Sequence, residues 1–332
     1  MSTNLFDVTI NDSNFIRFND KTEIDEYIIP DGITHIESNA FRATRIKKII
    51  IPPSVRSIGN AAFMYSDIKS IDLSKNDGLT MGDSVFENCF KLESATLPEH
   101  VLGSCESLFF ECCTLKEVVL PKSWEEIPRY FFAGCVKLSE FNLPENLKVI
   151  NNYAFSKCQS IMNLQLPDTI TELGEGCIRD TSIKEIAFPR NLKAIPPYCM
   201  AFSEDLEKIV FPKVSFTIGE GAFKDCSNLT TVKIPSNTTF IERDAFDCEN
   251  LKTVLIYGNT EIEAADVFGF RSCYTVHANN DEYFSEIYKH FENVKVVNLQ
   301  TSLDDLISDK SLKDVNEIMK EVEELNAYER NI

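Results

Sequence analysis

A single spacing organises most of this 332-residue chain, because a proline or a substitute for it returns every 22 to 24 positions. A second column, of large apolar residues, repeats in steps of 22 or 23. The proline column is Pro30, Pro52, Ser74, Pro98, Pro121, Pro144, Pro167, Pro189, Pro212, Pro235 and Tyr257. The apolar column is Phe41, Phe63, Phe86, Phe109, Phe132, Phe155, Ile178, Met200, Phe223, Phe246 and Phe268. Repeats of this length indicate a solenoid, in which each unit buries its apolar face against its neighbours.

One copy shows how a unit folds. Leu229, Val232 and Ile234 precede Pro235, and the apolar residues alternate with polar ones as in a short strand with one buried face. Proline then ends the strand, because it has no N–H to donate. The Ala-Phe pair of the next unit points back inward. The copies together predict one solenoid of about ten to eleven coils over about residues 24–270, with a parallel β-sheet face.

The segments beyond the repeats predict caps. Apolar residues alternate over residues 8–18 around a turn-rich spacer, which predicts an N-terminal β-hairpin on the first coil. At the other end, the pattern predicts a strand at 274–276, a helix at 281–291 and a strand at 294–299. We therefore expect an α/β cap to close the C-terminal end of the stack.

The last 32 residues differ from the repeats in charge and period. They carry nine acidic and four basic residues, with helix-start signals at Ser302 and Ser311. One helical face would carry Val315, Ile318, Val322 and Leu325. We predict an acidic helical tail over residues 301–332, separate from a capped solenoid over residues 1–300. The tail would pack on the cap, self-associate or bind a partner, or move freely.

Six of the eleven cysteines form a third column on the same spacing. Cα atoms about 4.8 Å apart would be within disulfide reach, but coils in register keep their Cα–Cβ vectors parallel rather than convergent. We therefore predict free thiols that pack as a ladder and donate weak S–H hydrogen bonds to buried carbonyls, with a metal or redox role as the alternative. The predicted structural ladder consists of Cys89, Cys112, Cys135, Cys158 and Cys226 with Phe63, Phe86, Phe132, Phe155, Phe223 and Phe246.

The charge balance argues against two classes of partner. The 33 Lys and Arg residues stand against 52 Asp and Glu residues, a net charge of −19 with a pI of about 4.7. Nucleic-acid binding and docking on anionic lipid both need clustered basic residues, so we expect neither. The sequence shows no apolar run long enough to span a bilayer and no secretory signal, so we expect no membrane insertion. Together with the thiols, this predicts a cytoplasmic location, with non-classical export to the cell surface as the alternative.

No motif of enzyme chemistry stands out. The four histidines share no column, and the glycines occur singly at corners rather than in phosphate-binding loops. No pair of cysteines has the C-x-x-C spacing of a zinc or redox site. We therefore expect no catalytic residues, no metal site and no cofactor.

The outward positions of the strands predict where a partner would bind. They stand two and four residues before each position of the proline column and form one continuous face. We interpret its acidic and amide-rich middle as a docking strip for a protein, in particular a basic or extended segment. An ordinary solvated sheet face is the alternative. The candidate binding residues are Asp72, Glu117, Val119, Glu140, Asn142, Asn163, Gln165, Glu185, Lys208, Val210 and Lys233.

The repeat resembles a known family. Its pattern L-x-x-I-x-I-P, then I-G, then A-F-x-x-C, is similar to the BspA-like (treponemal-type) leucine-rich repeats over about eleven copies. The resemblance implies a right-handed leucine-rich repeat solenoid. Members are often bacterial or protozoan surface proteins, and some bind host matrix proteins, which implies protein recognition. Our leading hypothesis is a non-enzymatic protein–protein interaction scaffold, with a cell-surface adhesin for host matrix proteins and a regulatory subunit of an enzyme as alternatives.

Overall fold

The chain folds into a parallel β-solenoid of about 13 turns. The computed structural model describes residues 8–19, 22–269, 274–290 and 292–298. A typical turn passes through a strand of a front sheet, a corner at the proline column, a shorter strand of a side sheet, and tight turns that carry the Ala-Phe pair. The predicted stack of coils with a parallel sheet face is therefore confirmed.

Two sets of strands run along the stack, and a few elements lie outside them. The front set is β3 (Ile24–Ile28), β5 (Ile46–Ile50), β7 (Ser70–Asp72), β9 (Ser94–Thr96), β11 (Glu117–Val119), β15 (Glu185–Ala187), β17 (Lys208–Val210), β19 (Thr231–Ile234), β21 (Thr253–Ile256), β23 (Tyr274–Ala278) and β24 (Val294–Asn298). The side set is β2 (Asn14–Phe18), β4 (His35–Ile36), β6 (Ser57–Ile58), β8 (Leu79–Met81), β10 (Val101–Leu102), β12 (Glu126–Ile127), β13 (Val149–Ile150), β14 (Glu172–Leu173), β16 (Ala194–Ile195), β18 (Phe216–Ile218), β20 (Thr238–Ile241) and β22 (Glu261–Ile262). The other elements are β1 (Val8–Asn11), a 3-10 helix (Ala265–Phe268) and helix α1 (Asp281–Tyr288).

The ends of the stack account for the difference between about ten to eleven predicted coils and about 13 turns. Strand β1 pairs antiparallel with β2, as the hairpin prediction required, but β2 also pairs in parallel with β4. At the other end, β23 and β24 extend the front sheet in parallel beyond β21, with α1 between them in sequence. The predicted cap strands thus continue the coil geometry. The predicted tail, residues 301–332, lies outside the described residues.

The apolar column forms a stack of aromatic rings through the core. From Phe41 to Phe132, successive rings lie 5.0–5.8 Å apart, with 7–16° between their planes. The stack resumes at Phe223 and Phe246, whose rings are 5.0 Å apart. The backbone N–H of each column residue from Phe41 to Phe246 donates to a carbonyl of the following coil over 2.7–3.2 Å. Each coil is therefore joined to its neighbour by both ring packing and a main-chain hydrogen bond.

Two coils lack an aromatic ring in this column. Rings from the position before the proline corner pack in the same region. Ile178 and Met200 are fully buried in place of phenylalanine. In the same region the residue before the proline corner is aromatic, Phe188 and Phe211, and both rings pack edge-on against Phe223 at 6.1 and 6.3 Å. Core volume is thus conserved by exchange between columns, which repeat cores tolerate better than a cavity.

The cysteine column lies directly behind the ring stack. The Sγ atoms of six column cysteines each donate to the main-chain carbonyl of the apolar-column residue one coil earlier, over 3.0–3.3 Å. They are Cys89, Cys112, Cys135, Cys158, Cys226 and Cys248. Where cysteine is missing, small buried hydroxyl residues take its place, namely Thr44, Ser66, Thr181 and Ser203. The column is thus defined by a small hydrogen-bonding side chain rather than by sulfur.

Ten cysteines lie within the described residues and are reduced. Cys177 and Cys199, which replace the small residue of the Ala-Phe pair, have Sγ atoms 3.9 Å apart, well beyond the S–S bond length of about 2.05 Å. Burial raises the pKa of the thiols of Cys135 and Cys158, and raises that of Cys105 to about 12. The buried thiols therefore stay protonated at neutral pH and keep their S–H donors.

Tight turns on both sides of the apolar column need left-handed backbone. The residues two before and two after the column position mostly have positive φ, for example Tyr153 (57°) and Lys157 (62°) around Phe155. Asparagine, aspartate and glycine adopt this region at least cost, and β-branched residues at the greatest. No valine, isoleucine or threonine has positive φ within the described residues.

Candidate protein-binding face

The predicted binding residues lie in two parallel rows on the front face. In one row, Ser70 pairs in register with Ser94, and Ser94 with Glu117. The same row continues through an isolated parallel bridge between Glu117 and Glu140. The second row follows two residues later, for example Thr96 beside Val119. Because the side-chain period of a strand is two, both rows point outward together.

Ten of the eleven candidates are exposed, and Lys233 is half-buried. Val119 and Val210 are apolar yet expose 49% and 38% of their surface. Asn142, Asn163 and Gln165 are exposed at the equivalent positions of their coils, outside the named strands. The candidates therefore lie along the front of the stack, where regular strands stop in the middle coils, and their role in binding stays a prediction.

Several charges on and beside this face are compensated between neighbouring coils. The carboxylate of Glu185 lies 2.5 Å from the ammonium group of Lys208, its register partner. Lys48 and Glu26 form the same kind of pair at 2.6 Å. These cross-coil pairs reduce the negative charge that a partner would meet at either end of the face. Glu185 in particular is less available than its column position suggested.

Asp72 is held in a local turn rather than presented as an isolated charge. Its Oδ1 accepts a hydrogen bond from the backbone N–H of Ser74 over 2.9 Å. Hydrogen bonds from the Ser74 side chain and backbone lower the pKa of Asp72, because they favour its charged form. The carboxylate therefore stabilises the corner in the one coil where serine replaces the column proline.

Glu117 and Glu140 form the one uncompensated pair of neighbouring carboxylates in the described part of the front rows. They face each other across a parallel bridge, and neither forms an ion pair with any described residue. Both line a groove of about 780 Å³, together with Glu145 and Lys122. Like charges side by side repel, so this arrangement favours a cation that can lie between them.

Sequence reasoning missed part of this groove. Its wall also contains Phe141, a half-buried aromatic residue at the inward position of the strand-like segment. Met162, on the following coil, is the most exposed large apolar side chain in the described residues, at 63%. Phe141 was visible as a departure from the column pattern, because the equivalent inward residues in the neighbouring coils are Val118 and Leu164. Met162 was visible too, because its position is held by Ser139 and Lys184 in the neighbouring coils.

Other kinds of site find no support in the described residues. Within the described ranges, no three His, Cys, Asp or Glu side chains are grouped so that they could hold a metal ion. No described helix combines the length and apolar character needed to cross a bilayer. Burial lowers the pKa of His277, which lies on the front face of β23 beside Leu255 of β21, so this imidazole is less readily charged.

Comparison with known proteins agrees with the coil geometry. A family model described as BspA type leucine rich repeat region (6 copies) matches residues 9–139, 125–252 and 202–323. The chain belongs to this family. Among curated proteins, no significant match to this BspA-type repeat protein was found.

Solved bacterial leucine-rich repeat structures have a similar fold. A leucine rich cell surface protein from Faecalibacterium prausnitzii A2-165 is 15% identical with a TM-score of 0.50, covering 85% of this chain and 94% of its own. A leucine-rich repeat protein from Eubacterium ventriosum ATCC 27560 is 17% identical with a TM-score of 0.50, covering 77% and 87%. One from Bacteroides ovatus ATCC 8483 is 22% identical with a TM-score of 0.47, covering 86% and 94%. At these identities the likeness of the first two extends to the fold alone.

Proposed function

We propose that this BspA-type repeat protein is a non-enzymatic interaction scaffold whose front face binds a basic, extended segment of a protein partner. The observation that carries the proposal is the uncompensated pair of Glu117 and Glu140 in a groove at the middle of the face. Family membership supports the general role, because leucine-rich repeat solenoids present continuous faces for protein recognition.

The chemistry of the groove supports a basic segment. Three carboxylates, Glu117, Glu140 and Glu145, and one ammonium group, Lys122, line it. Exposed Val119 adds an apolar surface for the aliphatic part of an arginine or lysine side chain. Such a partner would gain charge complementarity and bury apolar area at the same place, which sets both affinity and partner choice.

A double charge reversal tests this proposal. The probe is an eight-residue peptide in which arginine alternates with valine and threonine, compared with a peptide carrying glutamate in place of arginine. We expect the basic peptide to bind and the acidic one not to bind. Glu117→Lys with Glu140→Lys should raise the Kd of the basic peptide by about 100-fold, because two attractive contacts become repulsive. Fluorescence anisotropy of a labelled peptide measures the change.

The matched control also replaces two glutamates by lysines, but on the side sheet rather than on the front face. Glu126→Lys with Glu172→Lys alters two exposed residues of the side sheet. This control should change the Kd little at physiological ionic strength, where charges separated by more than about 8 Å are screened. Melting temperatures should stay close to that of the wild type in both variants. Equal loss of binding in both variants, or no binding of the basic peptide at all, contradicts the proposed function.

We propose that the protein works in a reducing compartment, since its column thiols are buried donors to carbonyl groups. Intact mass under denaturing, non-reducing conditions should equal that of the fully reduced chain. Loss of several pairs of hydrogen atoms would contradict this proposal, because disulfides would then cross the coils.

A surface adhesin is the second candidate, favoured by the likeness to a leucine rich cell surface protein. Proteinase treatment of intact cells separates the two candidates. Protection of the chain supports the internal scaffold, whereas its cleavage without lysis supports the adhesin.

A further inference from the structure

The main-chain hydrogen bonds of the front sheet stop in the middle of the solenoid. In regular coils, the N–H of the residue before the proline column donates to a carbonyl of the next coil. Leu73 donates to Thr96 over 2.9 Å, and Leu97 donates to Val119 over 3.1 Å. The bond reappears at Phe188, which donates to Val210 over 2.9 Å.

Three consecutive coils lack this bond. The N–H groups of Leu120, Leu143 and Leu166 make no main-chain hydrogen bond within the described part of the chain. The carbonyl of Asn142, which would accept from Leu120 if the pattern continued, is also unused by the backbone. Single gaps occur at Ile51 and Phe211, but a run of three occurs only here among the described coils.

The gap opens the groove that Glu117 and Glu140 line. Up to Glu140 the coils are still joined, because its N–H donates to the carbonyl of Lys116 over 2.9 Å. Beyond that point, residues 119–122 and residues 142–146 form opposite walls of the groove of about 780 Å³. Polar main-chain groups in such a groove need a partner, whether water or another chain.

Bulky side chains at the same level account for the separation. Phe131 occupies a position that is alanine in five of the eleven coils, and its ring lies 4.5 Å from that of Phe132. Phe141 adds a third ring and stacks on Phe155 at 5.4 Å. The planes of Phe132 and Phe155 are tilted by 30°, more than at any step from Phe41 to Phe132. Excess volume inside a coil forces the backbone outward.

A second groove on the same face shows what distinguishes the first. It has a volume of about 370 Å³ and lies beside the single gap at Ile51. Its charged lining is balanced, with Asp31 and Asp72 against Lys48 and Lys75. Of these two grooves, only the one lined by Glu117 and Glu140, the central groove, combines a run of unpaired main-chain groups with an excess of carboxylates.

We propose that the basic segment binds in the central groove as an added β-strand. Its main chain pairs with the unused N–H of Leu120 and carbonyl of Asn142, while its basic side chains face Glu117 and Glu140. This mode of binding rests on the proposed function, since it specifies how the same partner is held. Affinity comes from main-chain pairing, and preference for basic residues comes from the carboxylates.

Backbone methylation of the probe peptide tests main-chain pairing. Two versions of the basic peptide carry N-methyl groups on alternate residues, one on the odd and one on the even positions, so that charge and sequence are unchanged. A strand pairs through alternate residues along each edge, so at least one version should bind about tenfold more weakly, as loss of one or two hydrogen bonds predicts. If both versions bind as tightly as the parent and still require Glu117 and Glu140, strand addition is wrong and the proposed function stands.

Hydrogen exchange reports the same contact from the side of the protein. In the free protein the amide of Leu120 should exchange much faster than that of Leu97, and the basic peptide should slow it. Equal protection of Leu120 and Leu97 in the free protein would overturn the proposal, as would an unprotected Leu120 in the complex.

Phe141→Val tests the origin of the gap. The smaller residue should let the two walls meet, so that Leu120 becomes protected without peptide and peptide binding falls, although both carboxylates remain. Phe90→Val is the control, since Phe90 is 49% exposed and lies away from the groove. A cooperative melting transition shows that each variant is folded. Unchanged exchange and binding in Phe141→Val would overturn the role assigned to Phe141.

Discussion

Raising the pH from about 8.5 to 10 is expected to destabilise the protein steeply, because thiols begin to ionise near pH 8.5 once unfolded. Burial raises the pKa of six thiols in the folded chain, those of Cys105, Cys112, Cys135, Cys158, Cys199 and Cys226. Above pH 8.5 the unfolded state therefore binds fewer protons than the folded state. Stability is fully present below that pH and falls as the pH rises.

The expected slope is large. Each such thiol contributes about 1.4 kcal/mol per pH unit, and six give about 8 kcal/mol per unit once the unfolded thiols are ionised. Domains are typically stable by about 5–15 kcal/mol, so unfolding is expected within one or two units. Urea denaturation at a series of pH values, with a phosphine reductant present, measures the slope. A free energy of unfolding that stays flat from pH 8.5 to 10 contradicts the prediction.

Replacing thiols by hydroxyls provides the control. Cys135→Ser with Cys158→Ser introduces the side chain that Ser66 and Ser203 carry, buried, in the same column. The alkaline slope should fall by about one third, since two of six thiols no longer ionise. Stability at pH 7 should change much less, because a hydroxyl at these positions is also a donor that the same carbonyl can accept. An unchanged slope would assign alkaline unfolding to other groups.

Truncation of a central ring is the second large effect. Phe86 is fully buried between Phe63 at 5.4 Å and Phe109 at 5.6 Å. Phe86→Ala should lower the free energy of unfolding by about 3–5 kcal/mol. The variant loses the transfer free energy of the buried ring and leaves a cavity in the core. Chemical denaturation at pH 7 measures it.

The same coil supplies the control for ring truncation. Phe90 is 49% exposed and contacts Tyr65 only loosely, with ring centroids 6.3 Å apart. Phe90→Ala should therefore lower the free energy of unfolding by no more than about 0.5 kcal/mol. Similar losses in both variants would mean that the ring stack does not carry the stability assigned to it.

Column spacing predicted the architecture because burial in a solenoid depends on position within the repeat. The strand before Pro235, the hairpin at the N-terminus and helix α1 all follow from local pattern, and the structure contains each of them. The helix ends at Tyr288, three residues before the predicted end at 291. The coil count was low because strands β23 and β24 lack the proline and Ala-Phe signals while sharing the geometry.

The properties of the candidate face depend on contacts that one column does not reveal. Glu185 stands in the same row as Glu117, but only Glu185 meets a lysine in the following coil. That difference could have been found by comparing neighbouring coils in register. The gap at Leu120 could not, because it arises from summed core volume around Phe131 and Phe141 rather than from any residue of the face.

The left-handed turns around the ring column restrict how the chain can change its length. Two such positions recur around most rings, as with Tyr153 and Lys157, and they exclude β-branched residues. Coils of 22 to 24 residues keep their rings stacked, so differences of one or two residues are absorbed within a coil. Inserting or deleting half a coil would instead separate the two turns from the ring they flank. Larger changes in the length of this solenoid should therefore come as whole repeats.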